Sequence, residues 1–105
     1  MKPLSLKNDA NGNNSFALPF SDSIMSRSLG VATAEAVTVP TGANYAVFSY
    51  TTDVYVLADG TAAVPADVTD GTASELNPTI RDCSDVTSIS CISPAACVIT
   101  VAFYS

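Results

Sequence analysis

The chain has 105 residues, of which 48% are hydrophobic and 13% charged, and its formal net charge is −6 at pH 7. This length suits one domain, with little room for a second core. Four basic residues are too few for the basic patch that nucleic-acid binding requires, and an anionic membrane surface would repel the chain. A surface poor in Lys and Glu favours a protein that works inside an assembly, and a small, weakly charged secreted domain is the alternative.

Export by a classical signal is not expected. No apolar run approaches the roughly 20 residues of a membrane span. The start of the chain, MKPLSLKNDANGNN, lacks the apolar core of a signal peptide.

The odd number of cysteines (Cys83, Cys91 and Cys97) argues against a full disulfide framework, so reduced thiols are expected, with a Cys91–Cys97 disulfide across a hairpin as the alternative. Without His or a C-x-x-C pair, no metal site is expected.

Residues 1–34 are predicted to form an extended N-terminal arm ahead of a β domain at residues 35–105. Polar, turn-prone asparagines surround Gly12, and Pro19 interrupts any early helix. Residues 22–29 are predicted to form one or two helical turns. The arm's apolar residues are too many for disorder and too scattered for a separate core, so the arm orders against a partner or packs over its own domain. Partner contacts are assigned to Phe16, Leu18, Phe20, Ile24 and Leu29.

From residue 36 onward the hydrophobic pattern has a period of two, which is typical of β-strands. AVTV is a short strand that ends at Pro40, and YAVFSY at residues 45–50 is a second strand. DVYVL at residues 53–57 follows after two residues. That spacing predicts a tight hairpin, or one strand that continues through a bulge.

The segment at residues 58–79 is predicted to be a long connection, in which AAVP and SEL are candidate edge strands. Its two Asp-Gly pairs are typical turn residues. VTSISCI at residues 86–92 and CVITVAFYS at residues 97–105 are further strands. The last of these is apolar on both faces, which predicts a central strand or a subunit interface. One face carries Cys97, Ile99, Val101 and Phe103.

Five to seven short strands without a convincing long helix predict an all-β fold, a small β-sandwich or barrel-like domain with an extended N-terminal arm. A β domain of roughly 70 residues has a small core, and such domains are marginal unless they are stapled or assembled. Oligomerisation or docking on a partner is therefore expected, with a homotrimer as the favoured state.

The residues for enzyme chemistry are missing from this sequence. Nucleophilic catalysis by Ser or Cys usually enlists a His base, and the chain has no His. It contains no phosphate-binding glycine motif, so no cofactor is expected. Asp67, Asp70 and Glu75 lack the order of a calcium loop.

Two weaker candidates for recognition stand in the β domain. Arg81 is its only basic residue, and it is expected to pair with Asp82, with Asp85, or with a neighbouring subunit in an inter-subunit salt bridge. Four tyrosines are candidates for a glycan-stacking face, although aromatic residues at strand spacing usually pack across strands. They are Tyr45, Tyr50, Tyr55 and Tyr104.

Three runs of the chain resemble small proteins of tailed bacteriophages and prophages. They are VTVPTGANYAVFSYTTDVYVLADGTAAVP, DGTASELNP and SISCISPAACVITVAFYS. The resemblance covers about residues 37–104 and leaves the arm unmatched. Its motifs mark packing and turns, so no catalytic residue carries over.

The resemblance implies a structural protein of the virion, assembled in the host cytoplasm. The leading hypothesis is a capsid decoration (cement) protein, because small β modules with arms commonly clamp capsomers. It would stabilise the head lattice through the β domain and the arm, with the major capsid protein or other virion proteins as partners. The alternatives are a tail, neck or fibre component, and a carbohydrate-binding module that contacts host-surface glycans.

Overall fold

A computed structural model describes residues 1–15 and 17–105. Those residues form eight β-strands and no helix, so none of them lies in a helix long and apolar enough to cross a membrane. The strands are β1 (Ile24–Leu29), β2 (Glu35–Thr38), β3 (Tyr45–Tyr50), β4 (Tyr55–Ala58), β5 (Glu75–Leu76), β6 (Ile80–Asp82), β7 (Ser88–Ile92) and β8 (Cys97–Tyr104).

The strands form two four-stranded antiparallel sheets that pack together as a β-sandwich. The first sheet has the order β1-β8-β3-β6 and the second has the order β2-β7-β4-β5. Chain neighbours β3 and β4 lie in different sheets, as do β7 and β8. The all-β prediction is confirmed, and the structure selects the sandwich over the barrel.

Strand β8 organises the first sheet, because it pairs with β1 on one side and with β3 on the other. Its inward residues Ile99, Val101 and Phe103 are fully buried. The facing sheet closes the core with Val37 and Cys91, which are equally buried. Each large apolar side chain removed from water stabilises the fold by about 1.5–3 kcal/mol. Strand β8 is therefore a central strand, as its sequence predicted, and its other face lies on the outer side of the sheet.

The helical turns predicted at residues 22–29 are wrong, because Ile24–Leu29 is strand β1. Met25 packs against the core and Leu29 is 2% exposed, whereas Ser26 between them is exposed. This alternation has the period of a strand, and the free edge of β8 supplies backbone partners that a short helix could not use. Strand β1 therefore lies within the segment predicted as an arm.

The tight hairpin predicted between residues 45–50 and residues 53–57 is also wrong. The chain crosses from one sheet to the other after β3, so that Phe48 and Val56 bury against the same core from opposite sides. Ser93 supports the crossing by donating its hydroxyl to the Asp53 carbonyl at 2.7 Å. SEL contributes β5, AAVP forms no strand, and β6 was not predicted.

Backbone pairing ties the segment before β1 to the rest of the domain. The Leu4 amide donates to the Ser105 carbonyl at 3.2 Å, and the Ser105 amide donates to the Lys2 carbonyl at 2.9 Å. Farther on, residues 7–15 form a short hairpin in which the Ser15 amide donates to the Lys7 carbonyl at 2.8 Å. The N-terminal segment thus runs beside the end of β8 before it enters the first sheet as β1.

Asp59 joins the loop after β4 to the start of β7. One carboxylate oxygen accepts from the Thr87 amide at 2.9 Å, the Thr87 hydroxyl at 2.7 Å and the Ser88 amide at 3.1 Å. Asp59 has a φ of 53°, a left-handed conformation that Asp and Asn tolerate better than most residues. The hydrogen bonds from Thr87, and then the one from Ser88, hold the pKa of the Asp59 carboxyl below its ordinary value of 3.8.

Replacing Phe103 by Ala should reduce the free energy of unfolding by about 3–5 kcal/mol, because it leaves a cavity in the core. The matched control is Val98→Ala on the other face of the same strand, where the side chain is 41% exposed. That change should cost less than about 1 kcal/mol. Urea titration measures both values, and equal losses would contradict the assignment of the two faces of β8.

Asp59→Asn should lower stability at neutral pH and reduce its loss in acid. Because the carboxyl pKa is lower in the folded chain, its contribution is fully present above the unfolded pKa and is lost as pH falls through the folded pKa. Thermal unfolding followed from neutral pH down to about pH 3 measures this slope. Asp67→Asn removes the same charge from an exposed loop as a control, and an unchanged slope in Asp59→Asn would refute the prediction.

Candidate docking site

A row of apolar side chains crosses the solvent-facing side of the first sheet. The strand register places Ile24 of β1 opposite Ala102 of β8, Ala102 opposite Val47 of β3, and Val47 opposite Ile80 of β6. Residues directly opposite on antiparallel strands share a face, with their Cβ atoms about 4.5–5.5 Å apart. Ile24 is 57% exposed and Ile80 is 42% exposed, while the two central residues are half-buried. We call these four residues the apolar row.

Polar groups border the apolar row. On one side Ser26 and Thr100 lie opposite each other, with their hydroxyl oxygens 3.1 Å apart. On the other side Tyr45 lies between Tyr104 of β8 and Asp82 of β6. An apolar centre with a polar border is the usual composition of a protein–protein contact.

Phe20 is a second exposed apolar feature, with 93% of its surface accessible. Its neighbours hold it in this position. The Tyr104 hydroxyl donates to the Pro19 carbonyl at 2.8 Å, and the Ser21 hydroxyl donates to the Phe103 carbonyl at 2.8 Å. The backbone around Phe20 is thereby tied to the end of β8, while the ring projects into solvent.

The structure separates the predicted arm contacts into three groups. Leu18 and Phe20 are exposed, and Ile24 is exposed as part of the apolar row. Leu29 is buried in the core, because its position in β1 points inward, so its assignment as a partner contact is wrong. Phe16 lies outside the described residues.

The predicted tyrosine face does not form. Tyr45 is 37% exposed on the outer side of the first sheet, next to Tyr104, which is 6% exposed beneath the N-terminal segment. Tyr55 belongs to β4, where inward Val56 places it on the outer side of the second sheet. Strands in two sheets cannot present these rings to one sugar.

Tyr50 points to the inner side of β3 and serves packing. Its ring stacks on Phe48 with centroids 6.2 Å apart, and its hydroxyl donates to the Pro78 carbonyl at 2.6 Å. Burial, with a smaller effect from the nearby Cys91, raises the pKa of the Tyr50 hydroxyl well above its ordinary range. Tyr50 and Tyr45 are five residues apart, so strand parity alone puts them on opposite faces.

Arg81 pairs within the chain with Glu75 rather than with Asp82 or Asp85, and the inter-subunit salt bridge stays a prediction. Its Nε lies 2.9 Å from Oε1 of Glu75, and this pair connects β6 of the first sheet to β5 of the second. Asp82 accepts instead from the amide and hydroxyl of Ser84. The expected pairing with Asp82 or Asp85 is therefore wrong, and because both partners of the observed pair are about half exposed, it contributes little stability.

The Arg81–Glu75 pair stands at the mouth of a cleft between the two sheets. The cleft has a volume of about 370 Å³. Phe48, Val56 and Ile89 form its buried apolar floor, and the two charged side chains lie at its exposed rim. We call it the inter-sheet cleft. Its volume and lining suit an apolar group the size of a small ligand or a large side chain.

The apolar row and the inter-sheet cleft were both missed from the sequence. Ile80 is one residue of a three-residue strand, and its sequence neighbours give no hydrophobic period. The row becomes visible only when the register aligns Ile80 with Val47. The alternation of Ile24 with Ser26 and Ser28 was a usable signal for β1.

The three cysteines are free and buried. Burial, followed by the neighbouring Cys97, raises the pKa of the Cys91 thiol to about 11. Thiolate is therefore scarce at neutral pH, which makes this sulfur a poor nucleophile. Among residues 1–15 and 17–105, no group of three acidic, Cys or His side chains is placed to hold a metal ion.

Native protein should react very slowly with a thiol reagent such as DTNB, because all three cysteines are buried. After denaturation without a reductant, three thiols per chain should react. A count of one thiol would reveal a disulfide and contradict this arrangement. Fast labelling of the native protein would show instead that the core opens readily.

The apolar row, Phe20 and the inter-sheet cleft share one kind of chemistry, which is the burial of apolar surface. The register of the first sheet positions the row, and the contacts at the end of β8 position Phe20. All three are suited to contact with another molecule. Comparison with models of protein families, with curated proteins and with solved structures gives no match to this chain.

Proposed function

We propose that this protein is a structural component of a tailed-phage virion, and specifically a capsid decoration protein that stabilises the head lattice. The observation that carries the proposal is the apolar row, on a sheet face that leaves Ile24 and Ile80 uncovered. The resemblance of residues 37–104 to small phage proteins supports the virion as its setting.

The apolar row is suited to docking on a preformed surface. Removing apolar area from water is favourable by about 25 cal/mol per Å². Since antiparallel strands on both sides of β8 fix the row, binding orders little of the chain and costs little conformational entropy. The decoration function also requires that the surface it contacts exists only after subunits have assembled.

Stabilisation of the lattice then follows from mass action. A protein that binds the assembled lattice and not the free subunits shifts the equilibrium toward the lattice, by an amount set by its free concentration and its dissociation constant. The N-terminal segment adds a second contact through Leu18, which is 40% exposed. A tail, neck or fibre component needs the same kind of contact surface, and labelling of intact virions with an antibody separates these positions.

Ile24→Lys and Ile80→Lys should each weaken binding to phage heads by roughly 10- to 100-fold, as expected for losing one buried Ile and placing a charge in the contact. Both residues are exposed on edge strands, so the fold should tolerate the changes. The measurement is co-sedimentation of purified protein with heads of the phage that encodes it.

Leu76→Lys is the matched control, because Leu76 is 49% exposed on β5, the edge strand of the other sheet. It should bind like the unaltered protein. Equal binding by all three variants would refute docking through the apolar row, and failure of the unaltered protein to sediment would refute the decoration function. Deletion of the first 30 residues is not a clean test, because it removes β1 and the buried Leu29.

A further inference from the structure

We infer that Phe20 of one copy inserts into the inter-sheet cleft of a second copy. The inference deepens the proposed function, on which it rests in one respect, since a decoration protein is expected to act as an oligomer. It joins two features that the single chain leaves unused: a Phe ring that is 93% exposed, and an apolar cleft of about 370 Å³.

The cleft is open because the strands at its edge are short. β5 has two residues and β6 has three, so neither covers the space between the sheets along its length. The floor is apolar and buried, and it includes Ala46, which is fully buried and too small to fill the space above it. A planar ring that enters from the rim would cover this floor, as aromatic anchors do at the centres of protein interfaces.

Phe20 and the cleft lie at opposite edges of the first sheet. Residues 21–23 run beside β8 on the side of β1, as shown by the Phe103 amide donating to the Ser23 carbonyl at 2.8 Å. The cleft opens at β6, the other edge strand. These edges are three strand spacings apart, roughly 14 Å. Phe20 is therefore too far away to enter the cleft of its own chain. It enters the cleft of a second copy instead, in a head-to-tail contact that joins two different surfaces.

Charge favours the same orientation. The N-terminal segment before β1, residues 1–23, contains two basic and two acidic side chains, a balance of zero. Residues 24–105, which form the sandwich, contain two basic and eight acidic side chains, a balance of −6 that equals the net charge of the chain. The acidic sandwich of one copy therefore repels the neutral N-terminal segment of the next copy less than it repels another sandwich.

The rim of the cleft carries one net negative charge, because Arg81 pairs with Glu75 and Asp82 has no ion-pair partner among the described residues. Glu75 and Asp82 both line it and both are exposed. In the part of the chain that the structure describes, Lys2 and Lys7 have no ion-pair partner. Each lysine is thus available to the acidic rim of the neighbouring copy, while the Phe ring supplies the apolar contact.

A head-to-tail contact of this kind closes into a ring when the rotation between copies permits it. A ring of three agrees with the trimer expected from the sequence. In such a closed trimer every copy inserts its own Phe20 and receives the Phe20 of a neighbour, so no cleft and no Phe20 side chain is left uncovered.

The test measures native mass by light scattering for the unaltered protein and for Phe20→Ala and Ala73→Trp. Ala73 lines the cleft and is exposed, so Trp should fill the cleft from the rim without disturbing its floor. The unaltered protein should have a mass near three times 10.8 kDa. Each variant should weaken association by roughly 30-fold or more and be monomeric at the same concentration.

Mixing the two variants provides the decisive experiment. Phe20→Ala keeps an open cleft, and Ala73→Trp keeps the Phe ring, so together they can form one contact and then stop. The mixture should therefore give a one-to-one heterodimer. Val31→Ala, at another residue that is 64% exposed, should keep the mass of the unaltered protein. Thermal unfolding confirms that each variant is folded, and Ala58→Trp replaces Ala73→Trp if the latter is not.

A monomeric unaltered protein, a Phe20→Ala variant with unchanged mass, or a mixture that stays monomeric would each overturn the inference. An unchanged mass in both cleft-filling variants would show that Phe20 does not bind in the cleft. The cleft would then be a candidate site for a small apolar ligand. These results are obtained without phage heads. A monomer that still sediments with heads refutes this inference alone, and an oligomer built on Phe20 that does not sediment refutes the proposed function alone.

Discussion

The register of β8 between β1 and β3 is the constraint on which the rest of the structure depends. It sends Ile99, Val101 and Phe103 into the core and Ala102 outward, and the same pairing aligns Ile24 with Val47 across the outer side. A slip of one residue would exchange the two faces of the strand. One set of backbone hydrogen bonds therefore determines both what holds the sandwich together and which surface is offered to a partner.

Strands with strong alternation could be predicted from the sequence, and strands that depend on a distant partner could not. Tyr45–Tyr50 and Cys97–Tyr104 were predicted within one residue, because each buries every second side chain. Ile24–Leu29 was mistaken for helical turns, since its polar neighbours resemble caps and its partner strand lies 68–78 residues away. The crossing after β3 was mistaken for a hairpin, because two short strands look the same whether they pair or face each other.

The candidate site was less predictable than the fold. Phe20 and Ile24 are exposed and their assignment as contacts stays a prediction, whereas Leu29 shows that an apolar residue in a supposed arm can be part of the core. Ile80 acquires its role from Val47, and the cleft arises from the shortness of β5 and β6. These are properties of pairing and of layer packing, and no local run of residues encodes them.

The two open edges of the sandwich differ in how firmly they hold the sheets together. Near β1 and β2, the Arg27 side chain donates to the Ala36 carbonyl at 3.3 Å and bridges the layers beside the buried Leu29. Near β5 and β6, a half-exposed ion pair spans the gap above the cleft. Local opening begins where buried contacts are fewest. The two sheets are therefore expected to separate first at the edge formed by β5 and β6, while the edge formed by β1 and β2 stays closed. Such a separation widens the cleft and leaves the pairing of β8 intact.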